Sequence, residues 1–192
     1  MMKRQWIVNL FTLALLAGTV GFNLTAPRSQ KADAQEAPAP PPEPPVEVVY
    51  SAFFHMVVDL QQQAAELESE GQKGNSLQAY VQTQVSLSDE EARQLSGIAA
   101  ACVDEIARQD AKALVVIQTF RSQFPGGKIP AGVKLPPPPP ELKILQQERN
   151  QIILDARSKL VTALGETGFS KIAQFVEKRI APGVQPVPLD KR

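Results

Sequence analysis

Histidine and cysteine each occur once in 192 residues, as His55 and Cys102. That scarcity excludes much chemistry. A nucleophilic relay sets a Ser, Cys or Thr beside a base that is usually His, and here the lone imidazole and the lone thiol both fall inside apolar helical stripes. A disulfide needs a second Cys, so Cys102 reads as a small buried apolar residue. No convincing strand is present, and no Gly-rich phosphate loop follows one. A basic cluster is also missing. Of 20 basic and 20 acidic side chains, residues 1–34 hold four and one, which leaves 16 and 19 for the rest. Nucleic-acid binding needs a positive stripe that displaces counterions from phosphates, so none is expected. Carboxylate neighbours such as Glu90/Glu91 and Asp104/Glu105 belong on solvated helix faces. These absences predict no enzyme, no cofactor and no nucleic-acid partner.

What the chain does have begins with an address. Lys3 and Arg4 precede an apolar run, Ile7 to Val20, and Ala32-Asp33-Ala34 has the small-x-small pattern of a cleavage site. Residues 1–34 therefore read as a signal peptide, with a periplasmic or secreted domain starting at Gln35. The competing reading is an uncleaved anchor: extended to Leu24 the run has 18 residues, at the short end of what spans a bilayer. Asn9, Asn23 and two glycines argue against it, and membrane association is expected only in that case. Residues 35–45 (QEAPAPPPEPP) form a Pro-rich linker, in which polyproline II serves as a semi-rigid spacer.

The domain, residues 46–182, reads as all-α. Val49, Phe53, Met56, Val57, Leu60, Ala64 and Leu67 recur at helical spacing from Val46 to Glu70, with Gly71 and Gly74 as the stop. Asn75 or Ser76 caps a short helix over Leu77–Gln84, with Leu77, Tyr80, Val81 and Val85 inward. Ser88 and Glu91 then have the spacing of a capping box, in which each side chain satisfies an orphan N–H of a helix start. Behind that cap, Leu95, Ile98, Cys102, Ile106, Ala113, Ile117, Phe120 and Phe124 mark one face of a helix roughly 50 Å long. Small residues from Ser96 to Cys102 predict a tight crossing there. Residues 125–140, with five prolines from Pro136, make a long loop that sets where the next helix begins.

A second long helix runs from Glu141 to Leu164, with Leu142, Leu145, Ile152, Ala156, Leu160 and Ala163 in register and Gly165 as its stop. A last helix, Glu166–Ile180, buries Phe169, Ile172, Ala173 and Val176, and residues 183–192 form an irregular tail. Two charges interrupt the long stripes, Asp110 and Arg149. In an antiparallel hairpin with level loop ends, Asp110 faces residue 154, close enough for Arg149 to bridge as a register-fixing ion pair. The alternative is that both side chains reach solvent at the stripe's edge.

Leu87-Ser88-Asp89-Glu90-Glu91 before one helix and Leu164-Gly165-Glu166-Thr167-Gly168-Phe169 before another share a layout. It resembles the Spy/CpxP-like periplasmic family, whose signature is Leu-Thr-x-x-Gln at a helix start after an export signal. Ser88 stands in for the Thr and Glu91 for the Gln, over a resemblance covering residues 76–180. The resemblance implies an all-helical envelope protein that acts as a small chaperone, stress-response or sensor accessory. Excess apolar surface at Phe53, Phe54 and Val57, and at Val115, Val116 and Phe120, predicts a surface for a protein client or envelope partner. Two further readings are a membrane-anchored structural or assembly spacer and a metal sensor. For the sensor His55, Met56 and Glu47 are the only candidate ligands, against a His55 satisfied by a backbone carbonyl. A two-helix layer leaves one face uncovered, so a homodimer through the hairpin is a further expectation.

Overall fold

The computed structural model describes residues 43–124 and 136–184, and every regular element among these is helical. The elements are α1 (Val46–Ser69), α2 (Asn75–Gln78), α3 (Tyr80–Val85), α4 (Asp89–Ser122) and α5 (Pro140–Phe175). A π-helical turn (Val176–Ile180) and a 3-10 turn (Ala181–Gly183) follow. The expected signal peptide, all but the end of the linker, loop residues 125–135 and the tail after Val184 lie outside the described residues. No described helix is long and apolar enough to cross a membrane.

Local chemistry sets the ends of the two long helices. Ser88 is extended (φ −67°, ψ 164°). Its Oγ accepts the Glu91 N–H at 3.2 Å, and its own N–H donates to Glu91 Oε2 at 2.7 Å. Asp89, Glu90 and Glu91 fill the first turn, where the helix dipole favours negative charge. The Ser88 backbone hydrogen bond, with the Ser88 side chain second, holds the Glu91 carboxyl below the usual glutamate range. α5 begins with Pro140, whose missing N–H costs nothing in a first turn. Its helical path is interrupted where the sequence places a stop, at Gly165 with φ 65° and ψ 174°, a conformation essentially confined to glycine.

α4 and α5 pack along each other in opposite directions. Glu91 lies beside Gly168 at one end, and Asp110 meets Arg149 farther along. α4 turns Leu95, Ala99, Cys102 and Ile106 inward; α5 answers with Ile153, Ala156, Leu160, Leu164 and Ile172. α1 packs against both helices and fills the remaining side with aromatic residues. Phe53 and Phe54 sit 5.7 Å apart by ring centroid, and Phe53 meets Phe175 edge-on at 6.3 Å. Val81, Val85 and Leu87 close the end of this body.

Several details depart from the expected pattern. The helix expected over Leu77–Gln84 is two pieces with a break at Ala79, and neither start has a side-chain cap. Tyr80, expected inward, is exposed, because the break swings it out of the stripe. Gly74 does more than end α1: a Cβ there would stand 2.3 Å from the Ala64 carbonyl oxygen, so the chain passes α1 at glycine distance. Gly97 takes no such part, since a Cβ on it would meet nothing within 4 Å. Ala99, fully buried, occupies the inner side of that segment, and Gln61 Nε2 donates across to Ser96 Oγ at 2.5 Å. On α5 the buried line is centred on Ile153 rather than Ile152, and Ala163 is exposed.

Candidate functional site

The inner faces of α4 and α5 stay buried only as far as α1 reaches. The last buried residue of α4 is Gln109, and the first of α5 is Ile153. Beyond them, residues 110–122 and 140–152 form a two-helix arm with no buried side chain. Leu114 (53%), Val115 (61%) and Ile144 (55%) are the most open large apolar residues of these two helices. Val116, Ile117 and Phe120 are half-buried beside them. The Phe120 ring meets Phe124 edge-on at 5.5 Å.

The two groups expected as excess apolar surface therefore fare differently. Val115, Val116 and Phe120 lie on the arm. Phe53 and Phe54 are 0% exposed and Val57 is 4% exposed, so they belong to the core and not to an open surface. On α1, Phe53, Phe54 and Val57 are covered because their face meets two partner helices, while Val46 and Val48 at its start are exposed. Ile144 joins the arm's surface although it lies off the stripe read from the sequence. The clue was available: Leu142, Ile144 and Leu145 put apolar residues on both sides of one turn, as Leu114 to Ile117 do on α4.

Polar groups mark the junction of body and arm. Arg149 Nε donates to Asp110 Oδ1 at 3.0 Å, with the Arg side chain 25% and the Asp side chain 55% exposed. Beside this pair Gln109, only 5% exposed, donates to the Glu148 carboxylate and accepts from Lys112 Nζ at 3.2 Å. Gln109 sits three residues after Ile106, on the stripe itself, and is the polar interruption the sequence reading passed over in favour of Asp110. Asn150 Nδ2 donates to Glu47 Oε1 at 3.3 Å and ties the start of α1 to the same place. The Asp110–Arg149 and Glu91–Gly168 contacts share one register, in which Asp110 faces residue 149, about five residues from the expected position 154. The loop ends are not level: in this register Pro140 faces residue 119, so α4 overhangs the start of α5 by three residues, about 4.5 Å at 1.5 Å per residue.

The remaining singled-out residues have local roles. His55 shares its Nδ1 hydrogen bond with the Ser51 carbonyl oxygen at 2.8 Å, one helical turn away. Among the described residues no group of three or more His, Cys, Asp or Glu is placed to hold a metal ion. Cys102 is buried, and burial first, with Glu105 second, pushes its thiol up to about 11. Such a thiol is a poor nucleophile at neutral pH. Arg157 was not anticipated. Its guanidinium lies 5.3 Å from the Tyr50 ring centroid and 5.0 Å from that of Phe169, inside cation–π range. Burial raises the Tyr50 hydroxyl above its ordinary pKa, with Arg157 acting in the opposite direction.

No family model matches the chain, and no curated protein and no solved structure matches it.

Proposed function

We propose that this chain is an exported, non-enzymatic helical binding protein of the bacterial envelope, acting as a chaperone-like or stress-sensing accessory through its two-helix arm. The observation that carries the reading is the set of large apolar side chains, Leu114, Val115 and Ile144, each more than half exposed where α1 no longer covers the hairpin. Exposed apolar groups of this kind suit transient contact with unfolded protein segments. The Leu-Ser-x-x-Glu start of α4 supports the same reading through its resemblance to the Spy/CpxP-like signature. The apolar run with its AxA site supports export.

The test is suppression of aggregation of reduced α-lactalbumin, followed by light scattering. The wild-type chain delays the rise in scattering. Val115→Asp combined with Ile144→Asp removes most of the delay while helicity by circular dichroism is kept. Equal suppression by the variant defeats the proposal. A membrane-anchored spacer becomes the better reading if the exported protein, sequenced from its N-terminus, begins at Met1 or Met2.

A further inference from the structure

A cavity of about 400 Å³ opens between the end of α3 and the end of α5, and every charged side chain lining it is a cation: Lys171, Lys178 and Arg179. Gln84 and Gln174 add amide donors to its walls, above a floor made by the buried Val85 and Phe175. Among the described residues no carboxylate lies within ion-pair distance of any of the three cations. Lys171 has partial compensation: its Nζ donates to the Ser86 carbonyl at 3.2 Å, and Glu91 at the head of α4 feels its charge. Lys178 and Arg179 have neither.

The helix dipole explains two cations in a last turn. It does not explain Lys171, about two turns earlier, nor why all three line one space with no acid among them. Like charges held together repel, so the arrangement favours an occupant of opposite sign. Both walls also depart from regular backbone. Ser86 has φ 52° and ψ 55°, the left-handed region that side-chain-bearing residues seldom adopt. Opposite, Val176–Ile180 winds as a π-helix, a form that recurs at functional sites. The left-handed Ser86 ends α3 with its carbonyl toward Lys171. The π-helical turn carries both Lys178 and Arg179 to the cavity.

We propose that this cavity binds a phosphate group carrying two negative charges, as in a phosphate ester or a diphosphate. The Arg179 fork can take two oxygens at once, and the two ammonium groups act as point charges around it. The volume is in the range of small-molecule sites, which leaves room over Phe175 for the group that bears the phosphate.

The test is calorimetric titration of the full chain with inorganic pyrophosphate at low ionic strength. A parallel arm measures flotation with phosphatidylcholine vesicles doped with phosphatidic acid. Pyrophosphate is expected to bind saturably, about tenfold more weakly in Lys178→Gln/Arg179→Gln, because hydrogen bonds to charged groups are lost. Lys143→Gln, near the far end of α5, is expected to change nothing. Binding to the vesicles alone, with the same dependence on Lys178 and Arg179, assigns the phosphate to a lipid headgroup and sustains the proposal. Absence of binding in both arms overturns it, as does an equal loss in Lys143→Gln. All three substituted side chains are exposed, and circular dichroism checks that each variant is folded.

Discussion

The same two helices pass through two environments. From Asp89 to Gln109 on α4 and from Ile153 to Phe175 on α5, apolar side chains disappear into a body completed by α1. From residue 110 on α4 and before residue 153 on α5, apolar side chains continue, densely on α4 and more sparsely on α5, yet none is buried. Leu114 to Ile117 is as greasy a turn as any in the body, and what it lacks, among the described residues, is a third helix. Burial is therefore a property of the neighbour as much as of the stripe. A stable core and an available apolar surface can be written in one alphabet along one rod.

The largest test of this contrast compares Phe53→Ala with Val115→Ala in urea denaturation. Removing a fully buried Phe is expected to cost about 3–5 kcal/mol, whereas the change at the exposed valine stays within about 0.5 kcal/mol. Similar losses at the two positions would erase the distinction between body and arm.

Backbone constraints in the body come next. Gly74→Ala drives a Cβ against the Ala64 carbonyl, which no rotamer change relieves, and about 1–3 kcal/mol is expected for such overpacking. Gly165→Ala meets no neighbour, so its cost is conformational alone, ~1–3 kcal/mol. A crystal structure of Gly74→Ala should show the segment after α1 displaced, while Gly165→Ala keeps its contacts.

The cap at the start of α4 gives a smaller effect with a pH signature. Ser88→Ala is expected to cost about 1 kcal/mol. The folded-state pKa of Glu91 is lowered from an ordinary 4.5. Its contribution is therefore complete above that value and is lost as pH falls through the lowered folded-state pKa. Thermal melts should show wild type losing its advantage over Glu91→Gln on acidification. An advantage that grows toward acid pH contradicts the assignment.

Smallest is the junction pair. Asp110 and Arg149 are partly solvated, so a double-mutant cycle with Asp110→Asn and Arg149→Met is expected to give a coupling of about 0.2–1 kcal/mol. No coupling would leave the buried Gln109 and its bond to Glu148 as the group that sets the register.

Much of the local plan was legible before any coordinates. Ser88 and Glu91 announce a helix start because their side chains act on atoms three residues away. Pro140 and Gly165 mark a start and a break on α5 because each restricts or frees its own backbone. Helical periodicity picks out the buried Val49, Phe53, Val57 and Ala64 of α1 and Leu95, Cys102 and Ile106 of α4, but not Tyr50, Ser51, Phe54, Ala99 or Gln109. It missed by one position on α5, where Ile152 and Ile153 are both apolar and periodicity alone cannot choose between them. It also could not tell that Phe53 and Phe54 would be covered while Val115 would not, since both stretches look alike to a moment along one helix.

Sequence alone determined what depends on neighbours within a turn: the helical class, the cap and the break at Gly165. Tertiary structure decided what depends on the reach of other elements. α1 ends its cover near Gln109, Gly74 passes Ala64 without room for a Cβ, and Lys171, Lys178 and Arg179 meet the end of α3 around one cavity. Those outcomes rest on distances between residues far apart in the chain, which local periodicity does not encode.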